Sequence, residues 1–279
     1  MKVGSVVASL MTAVVAGVPG SGTGAADVAS EGLVEQIVET RPREGVYQRS
    51  LLSRRPGVEE AWLVVAFPGW PGILKLRSED GGFAYDLRGN FLIRARRHLV
   101  SDQIAVAILD CPSDRQETCG DGYRASEEHV EDVRQQIAAL RKRLPPGVRV
   151  ALVGTSYGTV SSEVLAVRLG EEIDAAVHTA SITAATETRS RPLYGLDVSR
   201  ARARQLFVHH VDDPCDMTPF SGLKRYEGVV PILRVIGLGS PRGPACEAFT
   251  AHGFVGRERP VMLAVAGWLL SGKVAASIE

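Results

Sequence analysis

The chain has 279 residues, of which 45% are hydrophobic and 23% are charged, values that are typical of a globular protein. This length is sufficient for one α/β domain with a full hydrophobic core. The formal net charge is +0 and no long run of one charge sign is present, so nothing in the composition indicates a nucleic-acid-binding protein.

Residues 1–26 have the pattern of a secretory signal peptide. Lys2 provides a positive charge ahead of the apolar stretch 3–18, and residues 24–26 are small enough for a cleavage site. The apolar stretch is shorter than the roughly 20 residues that a membrane span needs. We therefore expect a periplasmic or secreted protein with one mature domain, 27–279, and no stable membrane anchor. A disordered or helical N-terminal arm is the alternative.

The chain contains four cysteines, Cys111, Cys119, Cys215 and Cys246. None belongs to a C-x-x-C pair, so neither a zinc knuckle nor a thioredoxin-like site is indicated. In an oxidising compartment an even number of cysteines suggests two disulfides, and three connectivities are possible. We favour the sequential pairs, Cys111 with Cys119 and Cys215 with Cys246. Four buried free thiols are the alternative.

Strand patterns and helix patterns alternate along the rest of the chain. Residues 31–60 contain short strand-like runs, which predict antiparallel strands at a sheet edge. Continuous apolar runs predict buried strands at 61–67, 104–109, 148–153, 175–180, 205–211 and 229–236. Helical patterns lie at 90–99, 126–144, 158–170 and 261–270, the second with Ser126 as its N-cap. This alternation predicts an α/β fold with a mostly parallel central sheet and helices on both faces.

Residues 154–158 read Gly-Thr-Ser-Tyr-Gly, which is the Gly-x-Ser-x-Gly pattern of a nucleophile elbow. Because a predicted strand precedes this segment and a predicted helix follows it, Ser156 would lie on a tight turn between them. Gly154 and Gly158 suit that turn, since a Cβ at either position would collide with neighbouring atoms. The pattern alone is weak in a chain with 29 glycines, so a base, an acid and oxyanion donors have to be found elsewhere.

Further functional groups follow other predicted strands. Asp213 and His252 each come after a strand, as does the loop 68–72, and in parallel sheets functional groups gather at the carboxyl ends of the strands. The two prolines of this loop have no backbone N–H to donate. The backbone donors that remain are the N–H groups of Gly69, Trp70 and Gly72.

The order of Ser156, Asp213 and His252 along the chain resembles that of the α/β-hydrolase superfamily. The resemblance covers about residues 61–270 and is closest to small exported bacterial serine hydrolases without a large cap. It implies that Ser156 is the nucleophile, that His252 is the base and later the acid, and that Asp213 orients the imidazole. Asp212 is the rival acid; we favour Asp213 because an Asp-Pro step commonly follows this strand in the superfamily.

The resemblance also implies an oxyanion hole. Its donors would be the N–H of Tyr157 and an N–H of the loop 68–72, for which we choose Trp70. Phe67 and Pro68 stand where lipases commonly have a His-Gly pair, and this difference leaves the identity of the second donor open.

The bridge between Cys215 and Cys246 would hold the loops of the acid and the base in register.

Other polar residues receive structural interpretations. Residues 183–203 are arginine-rich and predict a short lid segment. Arg94, Arg96 and the arginines of 189–204 could contact an acidic acyl or sugar group, but a solvated basic face is the simpler interpretation. His98, His129 and His178 are interpreted as surface or core residues. His209 and His210 lie in one strand and point to opposite faces, which allows one of them to pack near the active site. No metal-binding or phosphate-loop pattern is present, so we expect no cofactor and no metal ion.

The sequence therefore predicts an exported serine hydrolase that cleaves a small-molecule carboxylic ester through an acyl-enzyme intermediate. A peptidase, an amidase or a thioesterase would use the same triad, and a non-enzymatic binding protein on the same fold is the alternative from another class. The ester substrate follows from the resemblance, since no pocket can be seen in a sequence. The sequence makes no prediction of the oligomeric state.

Overall fold

The structure, a computed structural model, describes residues 1, 32–79, 82–184 and 200–279. The predicted signal peptide therefore lies outside the described residues except for Met1, and so does most of the predicted lid segment. The strands are β1 (Val34–Arg43), β2 (Val46–Arg54), β3 (Trp62–Phe67), β4 (Arg77–Glu79), β5 (Gly82–Ala84), β6 (Ile104–Leu109), β7 (Arg149–Thr155), β8 (Ala175–Thr179), β9 (Arg204–His210), β10 (Ile232–Val235) and β11 (Ser277–Ile278). The helices are α1 (Phe91–Ala95), α2 (Asp121–Arg124), α3 (Glu127–Arg141), α4 (Gly158–Arg168) and α5 (Glu258–Ser271).

Within the described ranges, nine strands form one sheet in the order β1-β2-β6-β3-β7-β8-β9-β10-β11. The pairs β1–β2 and β2–β6 are antiparallel, and all the pairs from β6 to β11 are parallel. The prediction of a mostly parallel central sheet with antiparallel strands at one edge is confirmed. Every residue of β3 and β6 is buried, as expected for strands that are covered on both faces.

Alternate side chains of each central strand enter two separate cores. On β3, Trp62 and Val64 pack in the core that contains α1 and α5, whereas Leu63 and Val65 pack in the core that contains α3 and α4. This two-residue alternation places a helix layer on each face of the sheet. Because the strands from β6 to β11 are parallel, their carboxyl ends lie at one edge of the sheet, where Ser156, Asp213 and His252 follow β7, β9 and β10.

Several element boundaries differ from the prediction. The helix predicted at 90–99 is α-helical only over α1 and continues as a 3-10 turn, Arg96–His98. Strand β11 and the β4–β5 hairpin were not predicted, because segments of two or three residues are too short to carry a periodic pattern. The predicted N-cap is present: the N–H of His129 donates to Oγ of Ser126 at 3.1 Å. None of the helices in the described part of the chain has the length and apolarity to cross a membrane.

Candidate active site

Ser156 lies at the turn between β7 and α4 with a φ of 50°. A non-glycine residue rarely adopts this left-handed conformation, and it is the strained backbone that a nucleophile elbow requires. The N–H of Ser156 donates to the carbonyl of Thr179 on β8 at 2.9 Å, and its own carbonyl accepts from the hydroxyl of Thr159 at 2.7 Å. The sheet and the first turn of α4 therefore hold the serine in this conformation from both sides.

The two glycines of the motif are required by close backbone packing. A Cβ at Gly158 would overlap the carbonyl oxygen of Phe67, and a Cβ at Gly154 would overlap the carbonyl of Gly158 and the hydroxyl of Ser162. The collision expected from the sequence is thus present at both positions. Because Phe67 ends β3, this contact also brings the loop 68–72 directly against the elbow.

His252 and Asp213 form a buried pair. Nδ1 of His252 donates to Oδ2 of Asp213 at 3.0 Å, and the two side chains are 5% and 0% exposed. This bond keeps the proton on Nδ1 and leaves Nε2 of the ring as the basic nitrogen. The neighbouring Asp212 is exposed, and among the described residues its carboxylate forms no ion pair. The structure therefore brings Asp213, rather than Asp212, to the histidine.

Several donors converge on the carboxylate of Asp213. The N–H of Cys215 donates to Oδ1 at 3.0 Å, the hydroxyl of Thr218 donates to Oδ2 at 2.9 Å, and Nε2 of His209 lies 3.4 Å from Oδ2. Burial alone would raise the pKa of Asp213, but the hydrogen bonds from His209 and His252 outweigh it and hold that pKa well below its usual range. The carboxylate is therefore ionised at neutral pH and can stabilise an imidazolium.

The sequence did not identify Thr218 as part of this cluster. Its hydroxyl also lies 3.0 Å from Nδ1 of His252, and its carbonyl lies 2.7 Å from Nε2 of His209. His209 and His210 were expected to point to opposite faces of one strand, with room for one of them near the active site. His209 is the one that reaches Asp213, while His210 points the other way to the carbonyl of Gly237. The spacing of His209 four residues before Asp213 is a signal that could have been used; for Thr218 the sequence offers none.

The loop 68–72 lies beside the elbow. A Cβ at Gly69 would lie 3.3 Å from Cβ of Ser156, so the loop backbone passes close to the serine. The ring of Trp70 contacts the ring of Tyr157 edge-to-face, with 5.2 Å between the centroids. Trp70 is 50% exposed, whereas Tyr157 is buried. The side chains of the two residues chosen as oxyanion donors are thus in contact.

A buried arginine that the sequence did not identify holds this loop. Arg124 donates to the carbonyl of Cys119 at 2.8 Å, to the hydroxyl of Ser161 at 2.9 Å and to the carbonyl of Pro68 at 3.3 Å. Within the described part of the chain no carboxylate lies within 4 Å of its guanidinium. Burial lowers the pKa of Arg124 to about 10, so the group keeps its positive charge at neutral pH. A fixed cation therefore lies directly behind the loop 68–72.

Both sequential disulfides are present, Cys111 with Cys119 and Cys215 with Cys246. The second joins the loop that follows Asp213 to the loop that precedes His252, across 31 residues of sequence. The geometry agrees with the expectation that this bridge holds the two loops in register.

The double variant Cys215→Ser/Cys246→Ser is expected to lose about 3 kcal/mol of unfolding free energy, a fall of roughly 6–12 °C in Tm, because a long loop is released in the unfolded chain. Its kcat should also fall, since the Asp213 and His252 loops are no longer joined. Calorimetry and ester kinetics measure both effects. Reductant should lower the Tm of the wild type more than that of the double variant; equal responses would contradict a role for this bridge.

Two other histidines are core residues. His178 is fully buried, with Nδ1 2.8 Å from the hydroxyl of Ser162 and Nε2 3.1 Å from the side-chain oxygen of Gln205, and burial lowers its pKa to about 4. His129 lies between the rings of Phe67 and Tyr123; burial, together with the charge of Arg124, lowers its pKa to about 3. Both rings are neutral at pH 7, and each is accounted for by packing.

Glu163 is a buried carboxyl on α4, behind the elbow. The residue is 1% exposed, and neither side-chain oxygen has a hydrogen-bond partner among the described residues. Burial raises the pKa of Glu163 well above its usual value, with Arg225 opposing the shift. The folded protein therefore binds this proton more tightly than the unfolded chain does, so stability falls as the pH rises above about 4.3, the pKa of an unfolded glutamate.

The variant Glu163→Gln is expected to remove this penalty. Its Tm should approach that of the wild type near pH 4 and exceed it by an increasing margin toward pH 8, because a neutral amide does not have to be protonated in the core. Thermal unfolding at several pH values measures the difference. Glu171→Gln, at a side chain that is 77% exposed, is the matched control and should follow the wild type; a difference for Glu163→Gln that is constant with pH would contradict the assignment.

The sheet, the elbow and the order of the site residues define the α/β-hydrolase fold, with no large cap domain among the described residues. No protein-family model matches the sequence, and no curated protein matches it either.

Solved structures are similar in fold. Est1E from Butyrivibrio proteoclasticus has a TM-score of 0.56 and 12% identity, over 85% of this chain and 97% of its own. XC6422 from Xanthomonas campestris, described as an α/β serine hydrolase without lid, has a TM-score of 0.51 and 14% identity over 86% and 93%. The acylaminoacyl peptidase of Pyrococcus horikoshii has a TM-score of 0.55 and 11% identity over 83% and 41%. At these identities the similarity establishes the fold.

Proposed function

We propose that the protein is a serine hydrolase that cleaves small-molecule carboxylic esters through an acyl-enzyme. The observation that carries the proposal is the joint arrangement of a strained Ser156 at the elbow and a His252 whose Nδ1 is bonded to a buried, ionised Asp213. A serine hydroxyl is a weak nucleophile at neutral pH and needs a base beside it, and we assign that role to Nε2 of His252. Structural neighbours that are serine hydrolases support the same conclusion.

In the proposed reaction Oγ of Ser156 attacks the ester carbonyl while Nε2 of His252 takes the hydroxyl proton. The imidazolium that forms is stabilised by the carboxylate of Asp213. As the tetrahedral intermediate collapses, the C–O bond to the alcohol breaks and His252 returns the proton to the leaving oxygen. In the second half of the reaction, His252 takes a proton from water, which attacks the acyl carbonyl. The bond from the acyl carbon to Oγ of Ser156 then breaks, His252 returns the proton to Oγ, and the carboxylic acid is released.

The negative oxygen of the tetrahedral intermediate would be held by the N–H groups of Tyr157 and Trp70. Losing one such donor typically costs about 3 kcal/mol of transition-state stabilisation. The position of Arg124 supports this role of the loop, because its guanidinium fixes the carbonyl of Pro68 and adds a positive charge behind the oxyanion. In the described structure no carboxylate lies within 4 Å of this guanidinium.

Export of the protein is part of the proposal. Two disulfides form readily in the periplasm or outside the cell and rarely persist in the cytosol. The signal-peptide pattern of residues 1–26 supports the same compartment. Cell fractionation of a host that expresses the full chain would place the protein in the periplasm or the medium; retention in the cytosol in reduced form would contradict export.

The substrate class is tested with the oxidised protein and a matched pair of chromogenic substrates. We expect hydrolysis of p-nitrophenyl acetate and butyrate, and slower hydrolysis of the corresponding p-nitroanilides. A faster anilide reaction would assign the site to an amidase or peptidase, and a faster thioester reaction to a thioesterase. Folded protein that turns over none of these substrates and does not react with a fluorophosphonate would indicate a binding protein instead.

A further inference from the structure

A cavity of about 740 Å³ is lined by residues of α1, of the 3-10 turn that follows it and of α5. Ser156, Asp213 and His252 are not among its lining residues. The volume lies within the range of roughly 300–1,000 Å³ that is usual for small-molecule sites. The cavity is therefore large enough for a ligand the size of a disaccharide or a nucleotide.

The cavity is strongly positive. Among the described residues, Glu258 is the single acidic residue of the lining, and six arginines line the cavity: Arg88, Arg94, Arg96, Arg97, Arg242 and Arg259. Arg94 pairs with Glu258 at 2.9 Å, and Arg96 pairs with Glu35 of β1 at 3.0 Å. Such an excess of positive charge is concentrated in one place on a chain whose formal net charge is +0.

Three of these guanidiniums, those of Arg88, Arg242 and Arg259, have no carboxylate within 4 Å in the described ranges. Two of the three are held against aromatic rings: Arg242 lies 4.4 Å from the ring centroid of Phe249, and Arg88 lies 5.4 Å from that of Tyr85. Cation–π contacts of this kind restrict the position of the guanidinium. Nε of Arg88 also donates to the carbonyl of Tyr85 at 3.3 Å, which leaves its terminal N–H groups for a ligand. The charges are thus positioned in advance rather than dispersed in solvent.

We propose that this cavity binds a small organic polyanion that carries phosphate or sulfate groups. The planar donor fork of arginine matches the oxygens of such groups, and several guanidiniums around one cavity favour a ligand with more than one of them. The inference goes beyond the proposed hydrolase function and does not depend on it.

His98, which is partly buried in the cavity wall, provides an internal reporter. Burial lowers its pKa, Arg97 and Arg259 lower it further, and Glu258 opposes them. An anion bound beside these arginines would offset their charge and raise the pKa of His98. An NMR pH titration, with the resonance assigned from His98→Gln, would follow this change.

Isothermal titration of the oxidised protein at 0.15 M salt, with inorganic triphosphate and with sucrose octasulfate, tests the proposal. We expect saturable one-to-one binding and an upward shift of the His98 pKa. The relative affinity of the two probes distinguishes a phosphate site from a sulfate site. Arg242→Gln/Arg259→Gln should weaken binding at least about tenfold, because two charge-assisted hydrogen-bonding groups are lost.

The matched control is the double variant Arg41→Gln/Arg55→Gln, which removes the same charge from side chains that are 74% and 53% exposed outside the cavity. It should change the affinity by less than about twofold at this salt concentration. Ser156→Ala should bind both probes like the wild type, which separates this site from the hydrolase proposal. Absence of saturable binding, or equal weakening by the two double variants, would overturn the inference.

Discussion

Replacement of Ser156 by alanine is expected to abolish fluorophosphonate labelling and to reduce kcat for p-nitrophenyl butyrate by about 10⁴–10⁶-fold. Alanine keeps the Cβ and therefore the same backbone strain at the φ of 50°, so the variant removes the nucleophilic oxygen and little else. Active-site labelling and steady-state kinetics measure the loss directly.

The control for this experiment is Ser271→Ala, at an exposed serine at the end of α5. Its hydroxyl donates to the carbonyl of Gly267 and accepts from the N–H of Lys273, both close by in the chain. It should label and turn over like the wild type. The Tm of Ser156→Ala should remain close to that of the wild type. Persistent labelling of folded Ser156→Ala would place the reactive group elsewhere and would contradict the proposed mechanism.

Replacement of Asp213 by asparagine is expected to reduce kcat by about 10³–10⁴-fold with a small change in KM. An amide can donate to Nδ1 of His252, which would move the proton to Nε2 and remove the base that the proposed mechanism requires. The low pKa of the Asp213 carboxyl means that its own protonation does not produce the acid limb of the wild-type pH–rate profile. A pH profile of kcat/KM, together with kcat for the variant, measures these effects.

Asp212→Asn is the matched control, since it removes the same charge one residue away. Its carboxylate is exposed and does not reach His252, so kcat should stay within about twofold of the wild type. A loss in Asp212→Asn that equals or exceeds that of Asp213→Asn would show that the acid had been assigned to the wrong residue. Asp213 also accepts the N–H of Cys215 and the hydroxyl of Thr218, so Asp213→Asn changes bonds that stabilise the fold. Tm is therefore measured alongside kcat to separate a loss of stability from a loss of catalysis.

Much of the fold could be predicted because its signals are local. Six-residue apolar runs such as Ile104–Leu109 are buried on both faces and need no partner to be recognised as strands. The elbow could also be predicted, because the close packing at Gly154 and Gly158 leaves no room for a Cβ. The end of α1 was predicted poorly and β11 was not predicted, because both depend on what they pack against.

The charged residues were the least predictable part of the molecule. A solvated basic face was expected around Arg94 and Arg96, and for Arg96 this was wrong. Arg96 is 2% exposed because Glu35, 61 residues earlier on β1, pairs with it inside the core. The buried position of Arg124 similarly depends on the carbonyl of Pro68, 56 residues away in sequence.

The sequence by itself determined the α/β class, the positions of the central strands and the strained turn at Ser156, because hydrophobic periodicity and glycine sterics act within a few neighbouring residues. Only the tertiary structure brought Asp213 rather than Asp212 to His252, added Thr218 and Arg124, and gathered the arginines around one cavity. These arrangements join residues that are far apart in the chain. Their energies come from burial and from paired charges, and neither exists until the sheet and its helices have come together.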